Sequence, residues 1–161
     1  MITFRPSPGF VFSHPAHAIA FGFGAGLAPT APGTFGTLLG WALGWGLGAL
    51  HPGAVLAAAL ACFAIGVWAC DVTGRHLGIA DHGGMVWDEV AAFLLIVAIV
   101  PREPVWQLAA FGAFRFFDIA KPPPIRHFER RYGGGFGVMF DDVVAAAYAL
   151  LLLAALKRLF L

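Results

Sequence analysis

The sequence predicts an all-α fold: a polytopic membrane helical bundle with short helices around a polar site. Three observations carry that expectation. First, 60% of the 161 residues are hydrophobic and 12% are charged, with a mean hydropathy of +0.81. Soluble domains average about 25% charged residues, so the chain holds too little polar material to coat a water-soluble globule. Second, uncharged runs alternate with polar stretches along the chain. Third, open sheet edges are not tolerated in hydrocarbon, which leaves helices as the default.

The elements follow in order. Residues 36–50 carry no charge and end at the turn His51-Pro52-Gly53. Residues 54–70 are again uncharged and precede a polar stretch, 71–84, with Asp71, Arg75, His76, Asp81 and His82. Residues 90–100 are apolar up to Pro101-Arg102-Glu103-Pro104, and 105–114 run into Arg115. A second polar stretch spans 118–142, and the last apolar run, 143–156, is followed by Lys157 and Arg158. These runs hold 10 to 17 residues each, whereas a full span needs about 20. Helices that continue past their apolar part into a shared polar site, or half-spans, account for the deficit. Four or five spans are expected.

A length of 161 residues suggests a single domain over 1–161. A net charge of +1 gives no electrostatic footing for nucleic acid. Cys62 and Cys70 share one apolar stretch and read as packing residues rather than a disulfide or metal pair. The N-terminal MITFRPSPGFVFSHPAH lacks the regions of a signal peptide, so the hydrophobic segments are expected to belong to the mature fold. The two polar stretches hold Arg75, Lys121, Arg126, Arg130 and Arg131, while the intervening turns hold only Arg102. The excess places both stretches on the cytoplasmic side. Lys157 and Arg158 sit awkwardly with that, since five spans would put them outside.

Eight of the nine acidic residues fall in the polar stretches or at their helix junctions, among them Asp71, Asp81, Asp88, Glu89, Asp118, Asp141 and Asp142. Ionisable residues beside long apolar runs are expensive and mark function by default. Asp88-Glu89 and Asp141-Asp142 are expected at the starts of apolar helices. Carboxylates there offset the helix dipole by about 0.3–1 kcal/mol each, which does not explain doubling them at two helices. Gathered carboxylates repel unless a cation joins them. Mg²⁺ takes oxygen ligands and is commonly held by carboxylates, waters and substrate phosphate. Asp88, Glu89, Asp141 and Asp142 are the expected metal ligands. His82 reads either as a ligand, acid or phosphate donor, or as a hydrogen-bonded surface residue.

A phosphate needs donors. Residues 31–37 (APGTFGT) form a glycine-rich turn that opens a helix. There Gly33 and Thr34 can offer backbone N–H groups to an anion, or simply cap the helix. Arg115 and Lys121 flank Asp118 in FRFFDIAKPPP. Arg binds phosphate oxygens in pairs and Lys acts as a point charge. Pro122 to Pro124 are expected to stop the helix. Gly133 to Gly137 read as a hinge or as a second phosphate-facing loop, and their spacing is not that of a nucleotide-binding P-loop. Arg126, Arg130 and Arg131 are expected to meet anionic headgroups. The only serines, Ser7 and Ser13, precede the first apolar run, and neither cysteine sits in a Cys-x5-Arg loop. Asp141 or Asp142 could still act as a covalent nucleophile, although no Asp-x-Asp-Gly signature is present; otherwise metal-assisted attack by water on a phosphomonoester remains, with one carboxylate orienting or deprotonating the water.

Three blocks carry a resemblance: GFGAGLAPTAPGTFGTLLG (22–40), DHGGMVWDEVAAF (81–93) and FRFFDIAKPPPIRHFERRYGGGFGVMFDDVVAA (114–146). In this order and spacing they resemble the phosphatidylglycerophosphatase A family. The resemblance implies a Mg²⁺-dependent, multi-pass phosphatase of the bacterial inner membrane. Its lipid substrate would be phosphatidylglycerophosphate, and its product phosphatidylglycerol would feed cardiolipin synthesis. It also implies acidic motif positions at Asp81, Asp88, Glu89, Asp118, Asp141 and Asp142, basic ones at Arg115 and Lys121, and a turn at Pro32, Gly33 and Thr34. The family often has Gly where this chain has Ala92 and Ala146, and Trp where it has Pro123. A phospholipid-forming phosphotransferase is the competing enzyme class, but its spaced Asp/Gly/Arg signature is missing. A small membrane cation transporter with an acidic pathway is the non-enzymatic alternative. Oligomeric state is not legible.

Overall fold

The structure, a computed structural model, describes residues 6–123, 125 and 132–160. Arg126, Arg130 and Arg131, expected to face headgroups, lie outside the described residues. Every regular element among the described residues is helical. The elements are α1 (Pro8–Val11), α2 (Pro15–Ala20), a 3-10 segment (Gly22–Leu27), α3 (Pro32–Leu50), α4 (Pro52–Leu77), α5 (Trp87–Ile99), α6 (Pro104–Ala120) and α7 (Gly134–Phe160). Helices α1, α2, α3, α4 and α6 each begin on a proline. Proline suits that position because its fixed φ is helical and its missing N–H is an orphan there anyway.

Among the described residues, two stretches are long and apolar enough to cross a bilayer, Gly53–Leu77 in α4 and Gly134–Leu159 in α7. Only 28% and 44% of their most apolar windows are buried, so both present most of that surface outward rather than serving as core helices. Both run on past the apolar stretch into polar sequence. α4 continues beyond Cys70 to Leu77, where Gly78 closes it in the left-handed region (φ 68°), and α7 begins well before Val143.

Short α5 is the hub. Its 13 residues rise only about 20 Å, and Trp87 to Leu94 are all buried. Helices α3, α4 and α7 pack around it, and α6 lies against α7. Glycines let α3 approach closely. A β-carbon at Gly36 would stand 2.7 Å from the Val86 carbonyl oxygen, one at Gly40 2.7 Å from that of Val90, and one at Gly44 2.8 Å from Cγ1 of Val97. Small residues every fourth position are how helices pack where lipid removes the hydrophobic drive. Trp41, Phe93, Phe111 and Phe114 form an aromatic cluster between α3, α5 and α6, with ring centroids 5.7–6.1 Å apart. Ala92 and Ala146 are both fully buried, so their methyls occupy helix contacts.

The glycine run differs from its expected role. Gly134 to Gly137 form the first turn of α7 rather than a hinge or an open loop. A β-carbon at Gly135 would run into the Val67 carbonyl oxygen and the Asp71 N–H on α4. These glycines serve close approach of two helix backbones. A second consequence concerns Asp141 and Asp142, which lie two turns inside α7 and not at its start. Helix-dipole compensation therefore does not account for them, because the effect fades beyond the first turn.

Candidate metal and phosphate site

Three elements bring the acids together. Asp88 and Glu89 occupy the first turn of α5, Asp118 lies near the end of α6, and Asp142 comes from α7. The oxygens of Asp88, Glu89 and Asp142 lie within 4.8 Å of one another, and all three residues are buried. One oxygen on each (Oδ1 of Asp88, Oε2 of Glu89 and Oδ2 of Asp142) is buried without a hydrogen-bond partner. Unpaired buried charge costs several kcal/mol. Asp118 stands beside both Glu89 and Asp142.

Two cations meet these acids. Arg115 on α6 contacts Asp118 one turn on, and its Nη1 lies 3.4 Å from Oε1 of Glu89. Its Nε is buried with no partner, so a donor remains for an anion. Lys121 Nζ lies 3.4 Å from Oδ2 of Asp141. Adjacent helical residues point about 100° apart, which is why Asp142 joins the cluster while Asp141 turns to Lys121. Asp141 is not one of the three converging carboxylates.

The start of α3 completes the site. A β-carbon at Gly33 would overlap Oε1 of Glu89 and crowd the Arg115 guanidinium, so the first turn of α3 lies directly on that pair. Thr34 follows at a half-buried position, and the Thr37 hydroxyl donates to the Gly33 carbonyl oxygen at 2.8 Å. Two non-glycine residues beside the site, Ala31 (φ 48°) and Lys121 (φ 41°), adopt left-handed backbone, each just before a proline. That conformation costs roughly 1–2 kcal/mol, and strain of this kind gathers at functional sites.

The remaining expected residues sit elsewhere. Asp81 is exposed on the loop between α4 and α5. The Nδ1 of His82 accepts the Gly84 N–H at 3.0 Å, and its ring meets that of Phe21. Neither belongs to the three-carboxylate group. Asp71 has a structural role: it pairs with Arg75 at 2.9 Å and accepts the Gly135 N–H at 3.5 Å, joining α4 to α7. One contact had no sequence signal beyond its neighbourhood. The Trp87 indole donates to the Cys62 carbonyl oxygen at 3.0 Å, which anchors the first turn of α5 to α4. A buried tryptophan beside an acid pair needs such a partner.

An all-helical bundle that gathers buried carboxylates against an arginine and a helix start defines a membrane-associated protein of the carboxylate-cluster type. Comparison with known proteins narrows the class. The family model for phosphatidylglycerophosphatase A matches residues 18–157. A Haemophilus influenzae protein named phosphatidylglycerophosphatase A is 45% identical over 146 residues, covering 89% of this chain and 90% of the relative. An Escherichia coli protein of the same name is 39% identical, over 83% of this chain and 78% of the relative. A Bacteroides thetaiotaomicron protein whose name proposes a phosphatidylinositol-3-phosphatase is 37% identical over 86% of this chain and 91% of the relative. No solved structure matches. The chain belongs to the phosphatidylglycerophosphatase A family.

Proposed function

We propose that the chain hydrolyses the terminal phosphomonoester of phosphatidylglycerophosphate, giving phosphatidylglycerol and inorganic phosphate, with Mg²⁺ as its cofactor. The observation that carries this reading is the convergence of three buried carboxylates from α5 and α7 beside Arg115, each with one oxygen that has no hydrogen-bond partner. The donor set is oxygen only and spans 4.8 Å at most, close to the diameter of about 4 Å of an octahedron with 2.0–2.1 Å bonds. Asp88, Glu89 and Asp142 would hold the ion, which when bound would neutralise charge on the phosphate oxygens. Arg115 binds the phosphate through its fork and its free Nε–H. The N-terminal turn of α3 offers the Gly33 N–H, the Thr34 hydroxyl and the positive end of a helix dipole, the Thr34 N–H being already given to the Ala31 carbonyl oxygen at 2.9 Å. Lys121, held by Asp141, adds a point charge for the phosphate. Asp118, beside the cluster but outside its three members, orients the attacking water and takes its proton.

The same geometry supports a multi-pass enzyme of the bacterial inner membrane with its site on the cytoplasmic face. The end of α4 and the start of α7 lie side by side at Val67, Asp71 and Gly135, which supports reading both at one membrane surface. Arg75 and Lys121 favour the cytoplasmic side for it. Lys157 then lies at the opposite end of α7, near Val100 and Trp106. A transporter would string its acids along a path. Here they meet at one point with an arginine and a helix start.

The test is phosphate release by purified protein in detergent. Phosphatidylglycerophosphate should be hydrolysed with Mg²⁺ and not in excess chelator, and faster than phosphatidylinositol 3-phosphate. Undiminished release in chelator would remove the metal from the mechanism. A preference for the inositol lipid would reassign the substrate.

A further inference from the structure

The loop that delivers Asp88 and Glu89 rests on the N-terminal segment. The Val86 N–H, at the cap of α5, donates to the Ala20 carbonyl oxygen at the end of α2 at 2.8 Å. A β-carbon at Gly26 would collide with the Gly84 carbonyl oxygen, and one at Gly22 would stand 2.9 Å from Cγ2 of Val86. The Phe23 ring meets that of Trp87 edge-on at 5.8 Å. Residues 20–27 are thus the bed on which residues 84–87 lie. α2 is only six residues long, too short to be helical on its own, so contacts elsewhere must hold it.

One such contact is a pair of histidines. His17, 3% exposed, places Nε2 2.8 Å from Nδ1 of His76 in the last turn of α4. We propose that His17 is a positioning residue: its bond to His76 clamps α2 to α4 and so keeps the Asp88–Glu89 turn in place against Asp142.

The direction of the bond follows from the other ring nitrogen. His17 Nδ1 lies 3.1 Å from the Phe10 carbonyl oxygen, to which it donates. Nε2 is then the acceptor, and His76 Nδ1–H is the donor. A proton on His76 at its other nitrogen leaves the bond intact. A proton on His17 Nε2 removes that acceptor; a neutral His76 can then turn its own Nδ1 into the acceptor, but once both rings are protonated two donors face each other and the clamp opens. The groups facing His17 are the Phe10 ring stacked at 4.2 Å, Ser13 Oγ at 3.4 Å, His14 on its own helix and His76 on α4. Arg75, next to His76 on α4, is paired with Asp71. Burial first, and then the two neighbouring histidines, hold the His17 pKa below its ordinary 6.5. The unfolded chain therefore takes up this proton at higher pH than the folded one. The clamp's stabilisation is complete above about pH 6.5 and is lost as pH falls toward the lowered folded value.

The consequence for turnover rests on the phosphatase reading, so the test has a readout that does not. His17→Phe keeps the ring and the stack on Phe10 but loses both hydrogen bonds. His17→Gln can donate to Phe10 and accept from His76, and it does not titrate. In full-length protein at pH 7.5, His17→Phe should speed amide hydrogen exchange in peptides covering 84–90 by about tenfold and lower kcat by about tenfold, with KM little changed; each tenfold is about 1.4 kcal/mol. His17→Gln should restore both and flatten the wild-type loss of exchange protection between pH 6.5 and 5. If His17→Phe does not fold, His76→Ala, at an exposed position, removes the same bond and carries the same expectation. Unchanged exchange at 84–90 in the bond-deleting variant overturns the clamp, as does a wild-type acid response in His17→Gln. Failure of the wild type to release phosphate would refute the phosphatase reading alone, since exchange still decides the clamp.

Discussion

Gly33 and Glu89 touch across the α3–α5 interface so closely that a single added β-carbon on the glycine would occupy the position of the Glu89 Oε1. The contact ties the start of α3 to a carboxylate of the proposed metal site. Gly33→Ala should therefore displace Glu89 and Arg115 while improving helix propensity at that position. Turnover should fall by about 100-fold or more, since misplacement of about 1 Å can cost that much. The melting temperature should change little. Phosphate release and thermal unfolding on the same preparation check both.

Asp88→Asn and Asp142→Asn each remove one charge from the buried group. Without metal, each variant should unfold at the same temperature as the wild type or higher, because repulsion among three buried carboxylates that share one nearby arginine is relieved. With Mg²⁺ the order should reverse, since a cation that binds only the folded state stabilises it by about 2.7 kcal/mol at 100 times its Kd. Phosphate release should fall by about three orders of magnitude in both. Thermal unfolding with and without Mg²⁺ separates these effects.

Arg115 touches Glu89 and Asp118 and keeps one donor free. Lys cannot reproduce the fork geometry. Arg115→Lys should retain the fold and lose about 10- to 100-fold in kcat/KM, and Arg115→Ala should lose more, leaving two carboxylates without their cation. Steady-state kinetics on the two variants, with circular dichroism as the fold control, is the measurement.

Trp87→Phe deletes the bond to the Cys62 carbonyl oxygen but keeps an aromatic ring under Phe23. A stability loss of about 1 kcal/mol is expected, with a reduced kcat because the anchored turn carries Asp88. Denaturation in mixed micelles and initial rates read the two effects.

Much of the site was legible in residue types and spacing, and the remainder was not, for physical reasons. Asp88-Glu89 ahead of an apolar run reads as the first turn of a helix, and that is where it lies. The Pro32-Gly33 pair announced the start of α3, because proline favours the first helical position. The split between Asp141 and Asp142 was hidden, since two adjacent acids look alike until the helix phase and its neighbours are known. The glycines of α3 read as part of an apolar run, and only the partner backbones at Val86 and Val90 reveal why side chains are excluded. The glycine run at the start of α7 looked like a hinge for the same reason. His17 carries no local signal at all, because its importance comes from His76, far along the chain, and from a backbone bond three residues away.

The central claim is that Asp88 and Glu89 from α5 and Asp142 from α7 share one divalent ion. Binding of Mn²⁺, a paramagnetic stand-in for Mg²⁺, to detergent-solubilised protein by electron paramagnetic resonance tests it most directly. The account predicts saturable binding that Mg²⁺ displaces and that weakens at least about tenfold in Asp142→Asn. Unchanged Mn²⁺ affinity in a folded Asp142→Asn protein would contradict it.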